Sequence, residues 1–114
     1  MKTAILVIDM INDLSLIHAV KGTWGAEIIE ELKSEKNDFR VLKRKYSAFQ
    51  GTDLDQLLRE LKIDTLILTG VVTDICIQHT VADAFFRGYR TIVPQDCVEA
   101  VDTPTQNAAL KYLR

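Results

Sequence analysis

Ala4-Ile5-Leu6-Val7-Ile8 is the stretch that decides the fold of this chain, and it ends at Asp9. The run is short, continuous, apolar and rich in β-branched side chains, which is the pattern of a strand buried on both faces of a parallel sheet. Three further stretches have a strand-like composition and are predicted to join it: Phe39 to Leu42, Thr65 to Leu68, and Thr91 to Val93. Gly70 and Pro94 mark where the last two strands end.

Helical periodicity separates these strands. Four leucines recur at the i, i+3, i+4 and i+7 positions of an amphipathic helix: Leu54, Leu57, Leu58 and Leu61. Thr52, with Asp55 three residues later, predicts a start of the capping-box type for this helix. A second helix is indicated by an apolar stripe of four residues: Ile77, Val81, Ala84 and Phe85. Gly88 lies where the C-cap of that helix is expected.

Two more helices complete the pattern. Pro104, behind Asp102 and Thr103, fits the first position of a helix that continues to Leu113, and a weaker helical pattern covers Ala26 to Leu32. Strands that alternate with helices predict the α/β class, as a doubly wound, mostly parallel sheet with helices on both faces. The 114 residues fit a single domain, 1–114.

Composition excludes several classes of function. The 14 basic and 16 acidic residues give a net charge of -2, so no cationic excess predicts binding to nucleic acid. No apolar run approaches the roughly 20 residues that span a bilayer, and the run after Met1 is too short for a signal peptide. Cys76 and Cys97 are too few for a disulfide framework. We therefore expect a cytoplasmic protein without a nucleic-acid or membrane partner.

Three reactive side chains are expected at one edge of the sheet. Asp9 follows the first strand, Lys43 follows the second, and Cys76 begins the helix after the third. Ligands of open α/β sheets bind beyond the carboxyl ends of the strands. A helix N-terminus and a neighbouring cation favour a thiolate, a carboxylate can accept the thiol proton, and backbone N–H groups can hold an oxyanion. The trio predicts acyl transfer to water through a cysteine nucleophile.

Each member of the trio also has an interpretation without chemistry. Asp9 could serve as a turn former at the end of a strand. Lys43 begins the basic run Lys43-Arg44-Lys45, which would by default be a solvated face, and Cys76 could be an inert core residue. The predicted convergence of all three on one sheet edge is what favours a functional role.

Four ordered motifs carry a resemblance to a known family: Asp9-Met10-Ile11-Asn12-Asp13-Leu14, Lys21-Gly22-Thr23-Trp24-Gly25-Ala26-Glu27, Lys43-Arg44-Lys45-Tyr46-Ser47-Ala48-Phe49 with Gly51-Thr52, and Gly70-Val71-Val72-Thr73-Asp74-Ile75-Cys76. With them the chain, from Thr3 to Leu113, resembles the isochorismatase-like cysteine hydrolases, which include nicotinamidases. The resemblance implies a catalytic triad of Asp9, Lys43 and Cys76. It also implies cleavage of a C–N amide bond in a small molecule through a Cys thioester.

The resemblance further implies how the pocket is built. The family has a cis peptide bond ahead of its nucleophile, at the position of Val71-Val72 here, and uses it to aim an oxyanion-hole N–H. The matching oxyanion-hole donors are the backbone amides of Val72 and Cys76. Substrate contacts are expected from three apolar positions: Leu14, Val71 and Ile75.

The chain also departs from the family pattern. Ile11 and Leu14 stand where the family usually has Gln and Phe, and the segment that carries an Asp-x-His metal motif has no counterpart between Leu14 and His18. His18 matches a metal-binding histidine of nicotinamidases and is the candidate ligand. A single ligand cannot hold a metal, so neither a divalent metal nor another cofactor is expected. His79 is interpreted as an ordinary helix residue.

These departures predict a shortened fold and leave alternative functions open. A missing crossover helix and closing strand would leave apolar sheet surface uncovered, which predicts a homo-oligomer. Cys76 favours amide hydrolysis, because family members that hydrolyse isochorismate itself commonly lack the cysteine. The alternatives are isochorismatase-type ether hydrolysis, and a non-catalytic family remnant that acts as a subunit or binding module.

Overall fold

The computed structural model describes residues 2–10 and 28–114. The chain divides into two compact units, of which the larger comprises Met1–Ile8 and Val41–Arg114 and the smaller comprises Asp9–Arg40. In the described part of the smaller unit, one short 3-10 turn forms at Glu30–Leu32. All of the long helices and strands described below belong to the larger unit.

A four-stranded parallel sheet lies at the centre of the larger unit, with strands β1 (Thr3–Ile8), β2 (Thr65–Val71), β3 (Arg90–Ile92) and β4 (Val98–Glu99). β1 pairs with β2 over its whole length, from Thr3 opposite Thr65 to Ile8 opposite Gly70. The other side of β2 is shared, because β3 pairs with its first half and β4 with its last two residues. This mostly parallel α/β sheet confirms the predicted class.

Three α-helices accompany the sheet in the described part of the chain: α1 (Leu54–Glu60), α2 (Gln78–Phe86) and α3 (Thr103–Leu113). A π-helical turn, Thr73–Ile77, leads directly into α2, and Gly88 follows α2 with a φ of 87°, as expected for a helix that ends at a glycine. Among the residues that the structure describes, no helix combines the length and apolar character needed to cross a membrane.

The helix starts differ in detail from the predicted ones. The N-cap of α1 is Asp53 rather than Thr52, although the Thr52 hydroxyl still accepts a hydrogen bond from the Leu54 N–H at 3.3 Å. The Asp55 carboxylate accepts from the Tyr89 hydroxyl at 2.7 Å, so no capping box forms. In α3 the Asp102 carboxylate caps the Thr105 N–H at 2.8 Å, and Pro104 occupies the second helical position instead of the first.

The core lies on one face of the sheet. Leu66 and Leu68 of β2 are fully buried there with Ala84 of α2. On the opposite face of the sheet, two side chains of β1 are exposed to solvent: Ile5 is 65% exposed and Val7 is 52% exposed. The prediction that β1 is buried on both faces is therefore wrong, because the side chains of one face remain largely in contact with solvent.

Two other predicted elements are also wrong. Phe39 to Leu42 forms no strand, and Phe39 and Leu42 are each 64% exposed. No described strand pairs with this run, so its backbone gains none of the inter-strand hydrogen bonds that stabilise a strand. Of the predicted helix at Ala26 to Leu32, the described residues 28–32 contain a single 3-10 turn at Glu30–Leu32. None of the turn's residues is buried, so no packed apolar face stabilises a longer helix there.

Candidate active site

Lys43 and Cys76 meet in the structure, as the sequence predicted. The Lys43 Nζ donates to the Cys76 Sγ at 3.5 Å and to the backbone oxygen of Lys45 at 2.6 Å. Cys76 is 7% exposed and Lys43 is half-buried, whereas Arg44 and Lys45 are exposed. The solvated-face interpretation of the basic run thus holds for Arg44 and Lys45 but not for Lys43. An ammonium beside a thiol is the arrangement that favours the nucleophilic thiolate.

The turn that carries Cys76 begins with a close contact between β1 and β2. Gly70 has a φ of 118°, and a Cβ at this position would lie 2.0 Å from the Ile8 backbone oxygen, so no larger residue fits. The peptide bond between Val71 and Val72 is cis, at the position that the family resemblance implies. The Ile77 N–H then donates to the Val72 oxygen at 3.2 Å, which closes the π-helical turn around Cys76.

The segment after Lys43 is anchored on α2 by buried backbone. Ser47, Ala48 and Phe49 are all buried, and the Ala48 N–H donates to the Thr80 hydroxyl at 3.0 Å. The Phe49 ring stacks on the Tyr89 ring with centroids 5.8 Å apart. This docking explains the sequence Ser47-Ala48-Phe49, because small and apolar side chains are needed where the segment packs.

Asp83 of α2 strengthens the same anchorage. Gln50 Nε2 donates to its carboxylate at 3.1 Å, and Arg87 lies 3.4 Å away. Desolvation opposes ionisation of Asp83, but hydrogen bonds from Ser47 and Gln50, together with the Arg87 charge, hold the pKa of Asp83 below its ordinary value. Asp83 therefore remains an anion that binds the segment near neutral pH.

His79 has a place in the site that the sequence did not predict. Its Nδ1 lies 2.6 Å from the backbone oxygen of Ile75, and its ring contacts the Tyr46 ring at a centroid distance of 5.8 Å. Ile75 directly precedes Cys76, and Tyr46 follows Lys43 by three residues. The available signal was the four-residue spacing of Ile75 and His79, which places a histidine one helical turn from the residue before Cys76.

Asp9 belongs to the smaller unit, whereas Lys43 and Cys76 belong to the larger one. It directly follows Ile8 of β1, is half-buried and has a φ of 54°, in the left-handed region that Asp tolerates better than most residues. Among the other predicted pocket residues, three are half-buried: Val71, Val72 and Ile75. Leu14 and His18 lie outside the described residues.

Cys97 differs from Cys76 in its surroundings. It is exposed, and its Sγ lies 3.6 Å from the Asp96 carboxylate. Desolvation and the Asp96 carboxylate raise the pKa of the Cys97 thiol, which disfavours its thiolate. In the described part of the chain, no group of three or more His, Cys, Asp or Glu side chains is arranged to hold a metal ion.

Fold and site define an α/β protein with a lysine-paired cysteine in the turn after a parallel strand. The isochorismatase domain model matches residues 16–114, and the chain belongs to the isochorismatase family.

Two curated relatives extend this assignment. The isochorismatase family protein PncA of Bacillus subtilis is 38% identical over 83% of this chain and 56% of its own length. The ureidoacrylate amidohydrolase RutB of Methylorubrum extorquens is 37% identical over 82% of this chain and 38% of its own length. The chain thus spans about half or less of the length of these relatives.

Solved structures show the same likeness. The nicotinamidase PncA from Bacillus subtilis matches with a TM-score of 0.76 over 82% of this chain and 55% of its own, at 36% identity. An isochorismatase-like hydrolase from Alkaliphilus metalliredigens matches with a TM-score of 0.95 at 32% identity. That match covers 99% of this chain and 90% of the other, so a solved member of the family has a chain of similar length.

Proposed function

We propose that this protein hydrolyses a C–N amide bond of a small molecule, with Cys76 as the nucleophile. The observation that carries the proposal is the 3.5 Å contact between the Lys43 Nζ and the buried Cys76 Sγ. A cation this close to a thiol stabilises the thiolate, which is the reactive form. The relatives named amidohydrolase and nicotinamidase support a reaction at a C–N bond other than a peptide bond.

In the proposed reaction, Asp9 accepts the proton of the Cys76 thiol. The Cys76 sulfur then bonds to the carbonyl carbon, and the oxyanion that forms accepts hydrogen bonds from the backbone amides of Val72 and Cys76. The C–N bond breaks as Asp9 returns the proton to the departing ammonia or amine. Water, deprotonated by Asp9, attacks the resulting thioester, and the carboxylic acid leaves while the thiol is restored. Lys43 stabilises the anionic sulfur throughout.

The proposed substrate is a small amide or ureido compound, with no metal or other cofactor required. Leu14, Val71 and Ile75 would supply apolar contacts to it. Ether hydrolysis of the isochorismatase type needs no thiol nucleophile, so the Lys43–Cys76 contact favours the amide reaction over that alternative. The non-catalytic alternative predicts a chain that binds such compounds without turning them over.

Ammonia release from a panel that includes nicotinamide and ureido acids tests the proposal. Cys76→Ser should lower kcat/KM by about 10³-fold or more, because a nucleophile is lost, whereas the matched variant Cys97→Ser should retain full activity. A trapped thioester at Cys76 should appear by mass spectrometry. Full activity of Cys76→Ser would refute the mechanism, and an absence of turnover with every panel member would favour the non-catalytic alternative.

The lysine is tested by a second matched pair. Lys43→Met should lower kcat/KM by about 10²-fold, because removing one electrostatic stabiliser of a reacting group commonly costs this much. Arg44→Met removes a neighbouring exposed cation and should change activity less than about twofold. Equal losses in the two variants would show that the basic run acts through its general charge and not through the Lys43–Cys76 contact.

A further inference from the structure

A closed circuit of contacts surrounds Lys43 and Cys76. The Lys43 Nζ links the Cys76 Sγ to the Lys45 backbone oxygen. Tyr46, the next residue, contacts the His79 ring at 5.8 Å, and His79 Nδ1 returns to the backbone oxygen of Ile75 at 2.6 Å. Ile75 is bonded to Cys76, so the circuit ends where it began.

The hydrogen bond to Ile75 determines which nitrogen of His79 carries a proton. A carbonyl oxygen can only accept, so Nδ1 must donate, and the imidazole plane is held in one orientation. That orientation presents the ring to Tyr46 at an interplanar angle of 41°. The histidine thus connects the turn that bears the nucleophile to the segment that bears the lysine.

Exposure argues against a role for these rings in the core. Tyr46 is 63% exposed and His79 is exposed, so neither buries much apolar surface. Two other contacts already fix the same segment on α2, the Ala48–Thr80 hydrogen bond and the Gln50–Asp83 hydrogen bond. The Tyr46–His79 contact is the one of these three nearest in sequence to Lys43.

We propose that Tyr46 and His79 are positioning residues that hold the Lys43 ammonium against the Cys76 thiol. The role deepens the proposed function, since it concerns the reactivity of the same thiol. Without the ring contact, the other two anchors keep the segment folded, but the Lys43 end moves more freely and the ammonium spends less time beside the sulfur. Thiol reactivity then falls while the fold persists.

The test measures the iodoacetamide alkylation rate at Cys76 as a function of pH, by mass spectrometry of the Cys76 peptide. Tyr46→Leu and His79→Leu should each slow alkylation near neutral pH by about three- to tenfold, less than the roughly 10²-fold cost of a 1 Å misplacement in a catalytic site. The pH midpoint of alkylation should move upward in both. Tyr46→Phe keeps the ring and should react like the wild type. Tyr112→Leu, which removes an exposed tyrosine from α3, is the matched control.

The double variant Tyr46→Leu/His79→Leu distinguishes a shared contact from two separate effects. If the rings act together, it should react no more slowly than either single variant. Wild-type rates in both single variants, equal slowing in Tyr46→Phe and Tyr46→Leu, or multiplicative losses in the double variant would each overturn the proposal. If circular dichroism shows that a leucine variant is unfolded, His79→Gln is measured in its place, because glutamine retains an amide donor. The alkylation rate is measured without substrate, so it tests the positioning role independently of whether the protein hydrolyses an amide.

Discussion

Gly70→Ala should destabilise the protein far more than an ordinary Gly-to-Ala change. Gly70 has a φ of 118°, and its new Cβ would lie 2.0 Å from the Ile8 backbone oxygen, where real Cβ contacts stay beyond 3.0 Å. The strands must therefore separate by about 1 Å at the step where Ile8 pairs with Gly70. A side chain at positive φ costs about 1–2 kcal/mol and an extra carbon in packed surroundings about 1–3 kcal/mol.

Together these terms predict a loss of about 2–5 kcal/mol in the free energy of unfolding, from a total of about 5–15 kcal/mol for a typical domain. At about 4 °C per kcal/mol, Tm should fall by about 8–20 °C. Urea unfolding followed by far-UV circular dichroism at one protein concentration measures the loss. The same variant should also slow alkylation of Cys76, because Gly70 lies six residues before it in the same turn-forming stretch.

Gly88→Ala is the matched control for this prediction. Gly88 has a φ of 87°, but no atom lies within 4 Å of the place that its Cβ would take, so the variant incurs the backbone cost alone, about 1–2 kcal/mol. The difference between the two variants isolates the contact with Ile8. If Gly70→Ala unfolds at the same urea concentration as Gly88→Ala, the close approach of β1 and β2 does not constrain this position and the reasoning is refuted.

Three further predictions concern the thiols, Tyr89 and the exposed sheet face. Iodoacetamide near neutral pH should modify Cys76 before Cys97, because Cys97 has a raised pKa and lacks a lysine partner in the described residues; faster modification of Cys97 would contradict this. Desolvation and the Asp55 hydrogen bond raise the pKa of Tyr89 to about 12, above the unfolded value of about 10, so the stabilisation is present below about pH 10 and is lost as pH rises toward 12. The difference in urea stability between wild type and Tyr89→Phe should shrink over that range, and a constant difference would count against it. The uncovered face that bears Ile5 and Val7 predicts self-association at micromolar concentration by light scattering, weakened in Ile5→Lys, and a monomeric wild type would disprove it.

The elements that the sequence predicted well are those stabilised within themselves. The leucine spacing of α1, the glycine after α2 and the Asp102 cap of α3 all act over four residues or fewer, and the structure contains each of these helices. β2 was likewise recognisable, since a continuous apolar run ending at a glycine is typical of a central strand. Lys43 and Cys76 were predicted to meet because each follows an apolar run, although Phe39 to Leu42, the run before Lys43, forms no strand.

By itself, then, the sequence determined helices α1 to α3 and the central strand, because periodicity and capping groups act between near neighbours. The Lys43–Cys76 contact was predicted in another way, from the place of each residue after an apolar run, although 33 positions separate the two. Tertiary structure alone decided that β3 and β4 share one side of β2, that Ile5 and Val7 stay exposed, and that Gly70 must be a glycine. It also decided the contact of His79 with Tyr46. Each of these depends on which distant segment packs alongside, and contacts between residues 25 or more positions apart leave no periodic pattern in the sequence.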